Sequence, residues 1–214
     1  VAIDLTTPII DVDEYRSLVG RTNPAKDTEV AGLLLGMTRL IEKRARIAPG
    51  MLVPQTALTF TFDSVGGAIL RLRSHGLQYY LRTTTADLLL IDDDADGVWD
   101  DYTLDFDDAW VQGEPVNAAQ FLEPFTHIRL RNITGATITA WPNYEGAVKI
   151  TGDWGWATTP TAIKDRVALI TRELIEAHHG GPSLDIESAL SPQSARQLSY
   201  VIEQEYGARI PVVA

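Results

Sequence analysis

The chain has 214 residues, 45% hydrophobic and 22% charged, a composition that supplies one or two globular cores. A net charge of −11 argues against a reader of nucleic-acid phosphates, which needs clustered Lys and Arg. The absence of cysteine excludes thiolate metal sites, thiol nucleophiles and disulfides, and no apolar run reaches the roughly 18 residues of a membrane helix.

No basic-then-apolar leader opens the sequence, so a cytosolic product is expected. The first element is a helix. Asp11 is a good N-cap, with Glu14 three residues on as its capping-box partner. Ile10 and Tyr15 stand as a hydrophobic staple, and Gly20 stops the helix after Leu18 or Val19. A second helix is expected from Ala25 to Ile47. Val30, Leu34, Met37 and Ile41 form its stripe, widened by Leu33 and Leu40. Glu42 and Arg46 are read as an i,i+4 pair on the opposite face. Gly32 and Gly36 would admit a close neighbour, and Pro49-Gly50 ends the element.

From about Leu58 the period changes to two. Thr59 to Phe62 and Ile69 to Arg73 alternate, with Val65-Gly66-Gly67 as a turn between them. Further strands are expected at Asp87 to Ile91, Val98 to Leu104, Ile128 to Ile133, Ala136 to Trp141 and Ala147 to Ile150, separated by Asp/Gly, Asn/Gly and Pro/Asn clusters. Helix then returns. Thr159 is read as a cap with Pro160 at the first helical position, followed by the stripe Ile163, Val167, Ile170 and Leu174 and closure at Gly180-Gly181. Ser191-Pro192 opens a last helix carrying Leu198, Val201 and Ile202 and ending near Gly207. The expected fold is α+β. N- and C-terminal helices form a small antiparallel bundle, and a large antiparallel β-sandwich or barrel-like domain is inserted between them. The parts are residues 1–56, 57–152 and 153–214.

The most suggestive chemistry is Asp92-Asp93-Asp94-Ala95-Asp96-Gly97. Asp92, Asp94 and Asp96 have the one-three-five spacing of a calcium loop, with Gly97 at the sharp turn. The twelfth position is Thr103 instead of Glu, so Asp100 or Asp101 would have to complete the set, and the flanks read as strands. The competing reading is a solvated hairpin turn, where Asp and Gly are favoured by conformation alone. His178 and His179 point apart on a helix and suit its C-terminal carbonyls better than a metal, while His75 and His127 stand alone. Trp154-Gly155-Trp156 is read as core or inter-domain packing, with both indoles on one strand face. No nucleophile elbow, Walker loop or dinucleotide fingerprint is present, so no enzyme is expected. A paired-carboxylate hydrolase rests only on the abundance of carboxylates.

The order of parts carries a resemblance. A short capped helix leads into one ending "RLIEKRARIAPG". A β-rich stretch follows, then "VKITGDWGWATTPTAIKDRVALITRELIEAHHGG". This resembles the head-to-tail connector (adaptor or head-completion) proteins of long-tailed double-stranded-DNA phages, over roughly half the chain, and departs from the smaller members in its long β insertion. The resemblance implies a virion neck subunit, made in the host cytoplasm. It would form a ring, usually twelvefold, between the portal protein and a stopper or tail-completion protein, and extend a channel that DNA crosses without sequence-specific binding. No membrane is involved. Part of the excess Asp and Glu would then face the lumen. The apolar tail, with Arg209, Ile210, Pro211, Val212 and Val213, is expected to dock on the portal. No cofactor is expected apart from calcium at Asp92, Asp94, Asp96 and Asp100. The alternative is a calcium-dependent β-sandwich binding module with helical extensions.

Overall fold

The computed structural model describes residues 2–20, 26–82, 85–92, 94–105, 111–114, 124–130, 138–177 and 186–206. Helices and antiparallel sheets make an α+β protein in two units, one of residues 4–53 with 159–214, the other of 54–158 with 1–3. No described helix is long and apolar enough to cross a membrane.

The helical unit begins with α1 (Val12–Val19). The Asp11 carboxylate accepts from Glu14 N, and Gly20 takes the left-handed conformation, its N–H donating to Arg16 O. The expected capping box is completed on one side only. The Glu14 carboxylate turns to Lys164 of α3 (Thr161–Ala177), 2.8 Å away. In α2 (Asp27–Ala45) the expected stripe is buried from Val30 to Ile41. Glu42 corrects the sequence reading: it is 2% exposed, pairs with Arg39 at 2.5 Å and accepts from Gly50 N at 2.7 Å. Arg46 forms no part of that pair. It is the left-handed C-cap, with φ 54°.

Thr159 also departs from expectation. Its hydroxyl donates to Leu52 O at 3.3 Å, and the carbonyl of Pro160 accepts from Ile163 and Lys164 as α3 begins. α3 packs against α1, α2 and α5 (Pro192–Tyr206) through Ile163, Val167, Ile170 and Leu174. In α5 the buried residues Ser194, Leu198, Ile202 and Tyr206 recur every four positions, and Ser191 Oγ accepts from Ser194 N as its cap. A short helix missed by periodicity, α4 (Ile186–Ala189), lies against α2. The expected closure at Gly180-Gly181 lies outside the described residues.

The two α2 glycines separate here. A Cβ at Gly36 would fall 2.2 Å from Ile186 Cδ1, whereas one at Gly32 would meet nothing within 4 Å. Gly32→Ala should therefore stabilise by about 0.5–1 kcal/mol, the helical cost of glycine. Gly36→Ala should lose that gain and speed amide exchange at residues 186–189. Chemical denaturation and hydrogen exchange check the pair, and equal gains from both substitutions would refute the contact.

In the other unit, β9 (Val148–Trp154) is central. It lies between β1 (Gln55–Phe62) and β5 (Thr85–Ile91), with β6 (Asp100–Asp105) outside β5, all antiparallel. The register places Phe60 and Leu89 beside Ile150, and Phe62 and Ile91 beside Val148, on the buried face. On the other face the Thr59 and Thr151 hydroxyls meet at 2.7 Å. A second sheet has the order β2 (Ile69–Arg71), β8 (His127–Leu130), β7 (Val111–Glu114). A hairpin, β3 (Arg73–Ser74) and β4 (Leu77–Gln78), turns at His75 and Gly76, both at positive φ as a two-residue hairpin requires. No closed barrel occurs among the described residues.

The turn at 65–67 does not pair β1 with β2, which belong to different sheets. Instead Gly66 N donates to Pro142 O and Trp141 N to Gly67 O, at 3.2 and 2.8 Å. The segment from Ile138 to Trp141, expected as strand, is irregular. Its Trp141 is nevertheless buried.

Candidate functional site

Asp92 follows β5 directly. Its backbone N–H donates to Ala147 O at 3.1 Å, and its side chain is 6% exposed, whereas Asp94 and Asp96 are exposed. Carboxylate oxygens of the three lie within 4.8 Å of one another. The loop is closed by Gly97 N donating to Asp92 Oδ2 (3.1 Å), Asp96 N to Asp94 Oδ1 (3.2 Å) and Val98 N to Asp96 Oδ1 (2.7 Å). Ala95 and Gly97 take positive φ, 64° and 83°. Asp100 starts β6 opposite Ile91 and so joins the far end of the same loop. Its carboxylate lies outside the described side chains.

The Tyr144 phenol stands beside this cluster. Burial of its hydroxyl first, then the neighbouring Asp92 carboxylate, push its pKa up to about 12. It therefore stays neutral and brings no compensating charge. At the loop's end Lys149 Nζ lies 3.7 Å above the Trp99 ring, a cation–π contact on the outer face of β9.

This unit also holds a cavity of 540 Å³ lined by Asp63, Ser64, Val65, Gly66, Ala68, Ile69, Arg71, Arg73 and Arg129. β2 and β8 place Arg71 and Arg129 on one face, since Ile69 pairs with Arg129 and Arg71 with His127. Three guanidiniums in so acidic a chain were not singled out by sequence. Alternation at 69–73 was the signal, but it did not show that residue 129 would join them.

The histidines are placed as local hydrogen-bonding groups, His75 Nδ1 with Ser74 Oγ and His127 Nδ1 with Thr126 Oγ1, each 2.9 Å. Trp154 and Trp156 enter different aromatic surroundings, because Gly155 at φ 80° ends β9 between them. Trp154 meets Phe60, Phe62 and Tyr79, whereas Trp156 meets Tyr80 edge-on at 5.6 Å. His178, His179 and the tail residues Arg209, Ile210, Pro211, Val212 and Val213 lie outside the described residues.

Comparison with known families finds no matching family model, and comparison with curated proteins finds no match.

Proposed function

We propose that the chain is a structural, non-catalytic subunit of a phage virion neck, one copy of a ring joining the portal protein to a stopper or tail-completion protein. The observation that carries this reading is the helical unit built from both halves of the chain, 4–53 with 159–214, with the β unit inserted between them. That is the plan of the connector proteins it resembles. β9 also runs into Gly155, Trp156 and Pro160 and on to α3 in the order that marks them. Opposite charges on the β unit support self-association. An acidic loop at Asp92 to Asp96 and an arginine-lined cavity suit a head-to-tail contact between copies, which closes a ring when the rotation permits. Net charge of −11 suits a channel through which DNA slides without adhering.

The test is assembly on the portal encoded in the same genome. Mixed with that portal, the chain should add a second ring visible by negative-stain microscopy, and deletion of residues 207–214 should weaken attachment at least about tenfold, the loss of one anchoring apolar contact set. Rings that still form without the tail would move docking elsewhere on the subunit. Failure of the intact chain to bind any portal would remove the reading. The second reading, a calcium-dependent binding module, is favoured by the Asp92 to Gly97 loop alone.

A further inference from the structure

Arg71, Arg73 and Arg129 meet in the lining of the 540 Å³ cavity. Among the described residues of that lining one carboxylate faces them, Asp63, whose Oδ1 already accepts from Gly146 N at 2.8 Å. Folding creates this local excess of positive charge, since the chain as a whole carries −11. In the antiparallel register Ile69 stands opposite Arg129, and Arg71 opposite His127. Arg71 and Arg129 are therefore diagonal neighbours on one sheet face, within reach of each other as long side chains. Like charges in such positions repel, and an anion between them turns that cost into attraction.

One of the three guanidiniums is held in place from behind. Gln78 is fully buried, and its Nε2 donates to the carbonyls of Leu72, Tyr79 and Thr126 at 3.0, 2.6 and 3.2 Å. That fixes the amide with Oε1 as an acceptor, which takes the Arg73 Nε–H at 3.2 Å. A guanidinium has five N–H donors, and this bond uses one. Setting a rotamer before a ligand arrives lowers the entropy that binding must overcome. Charge and shape then name the ligand. A phosphate monoester carries about −1.5 to −2 at neutral pH and presents three acceptor oxygens at one centre, suited to planar guanidinium forks. A dicarboxylate divides its charge between two ends. The volume is that of a small-molecule site, and Val65 and Ile69 add apolar wall for an organic group. A nucleic-acid strand is disfavoured by the field of the whole acidic chain. We propose that this cavity binds a small phosphomonoester, with Arg71, Arg73 and Arg129 on the phosphate and Val65 and Ile69 against its organic part. This inference does not rest on the ring reading.

The experiment is calorimetric titration of the full chain with phenyl phosphate, and separately with inorganic phosphate and succinate. Phenyl phosphate should fill one site with Kd of about 1 mM or tighter. Inorganic phosphate should bind more weakly for want of the apolar contact, and succinate more weakly than phenyl phosphate. Arg71→Gln should weaken phenyl phosphate at least about tenfold, the loss of a charge-assisted hydrogen bond. Arg71 is exposed, so this variant keeps the test valid even if Arg129→Gln, expected to lose as much, fails to fold. Lys149→Gln removes a positive charge from the outer face of β9, beside Trp99, and should leave affinity unchanged. Four results would overturn the proposal. The first is no heat at roughly 10 mM phenyl phosphate, well above the expected Kd. The second is succinate binding as tightly as phenyl phosphate, and the third is equal losses in Arg71→Gln and Lys149→Gln. The fourth is affinity that falls as chain concentration rises, which would assign the cavity to carboxylates of a neighbouring copy.

Discussion

Glu42→Ala should destabilise the helical unit by about 3–5 kcal/mol, the cost of breaking a buried, hydrogen-bonded ion pair from one side. The carboxylate is 2% exposed and joins three things: Arg39 one turn back on α2, the Gly50 N–H at 2.7 Å, and the Leu52 N–H. It therefore holds the segment after α2 against the end of the helix. Truncation leaves two backbone donors and a guanidinium facing a void. Glu42→Gln keeps an acceptor of the same shape and should cost only about 1–2 kcal/mol. pH separates the charge from the shape. Burial pushes the Glu42 carboxyl above its ordinary value of 4.5, despite the opposing pull of Arg39. The folded state then holds a proton that the unfolded chain releases, so this residue's contribution falls as pH rises from about 4.5 through the folded value. The cost of Glu42→Gln should accordingly shrink as pH is raised from the acid side of 4.5 toward neutrality. Urea titrations of both chains across that range measure it. A cost that grows with pH would show that Arg39 outweighs desolvation.

That residue also marks where sequence reading stops. Ile41 belongs to the stripe of α2 and Glu42 lies one position on, so charge and spacing both placed it on the solvent side. Its burial depends on the loop folding back from Gly50, which no helical period encodes. Local signals were legible where the chain satisfies itself locally. Asp11 and Gly20 bound α1, and the stripes at Val30 to Ile41 and Ile163 to Leu174 are buried as their spacing requires. Strand pairing was not legible. β1 pairs with β9 some 90 residues later, as the match of Thr59 with Thr151 shows, and nothing in Val65-Gly66-Gly67 announces that the chain there leaves one sheet for another. Gln55 was missed as strand because an irregularity between it and Leu58 interrupts the alternation. At the candidate site the one-three-five spacing was visible, but the burial of Asp92 and the approach of Tyr144 were not. Tyr144 comes from the segment just before β9, and only sheet pairing carries that segment to the end of β5.

Trp154→Ala should cost the β unit about 3–5 kcal/mol, and Trp154→Phe about 1–3 kcal/mol, because the indole does two separable jobs. One is filling space: the side chain is fully buried, with Phe60 edge-on at 4.9 Å, Phe62 at 5.6 Å and Tyr79 at 6.5 Å. The other is pinning an irregular strand. Gln55 pairs with Trp154 but Leu58 with Gly152, so β1 spends one residue more than β9 over this stretch. Ala57 absorbs it at φ 52°, its N–H donating to Asp153 Oδ1 at 3.2 Å. The Trp154 Nε1–H then donates to Leu58 O at 2.9 Å, a bond between buried groups at the end of the bulge. Phenylalanine restores most of the aromatic packing but removes the indole's hydrogen bond to the Leu58 carbonyl. Alanine removes both contributions. If the bulge depends on the indole, amide exchange at residues 56–58 should quicken in both variants, and in the Phe variant by more than its loss of stability accounts for. Protection in the Phe variant that falls only in proportion to global stability would mean that the bulge is held by Asp153 and the strand ladder, and that Trp154 contributes through packing alone.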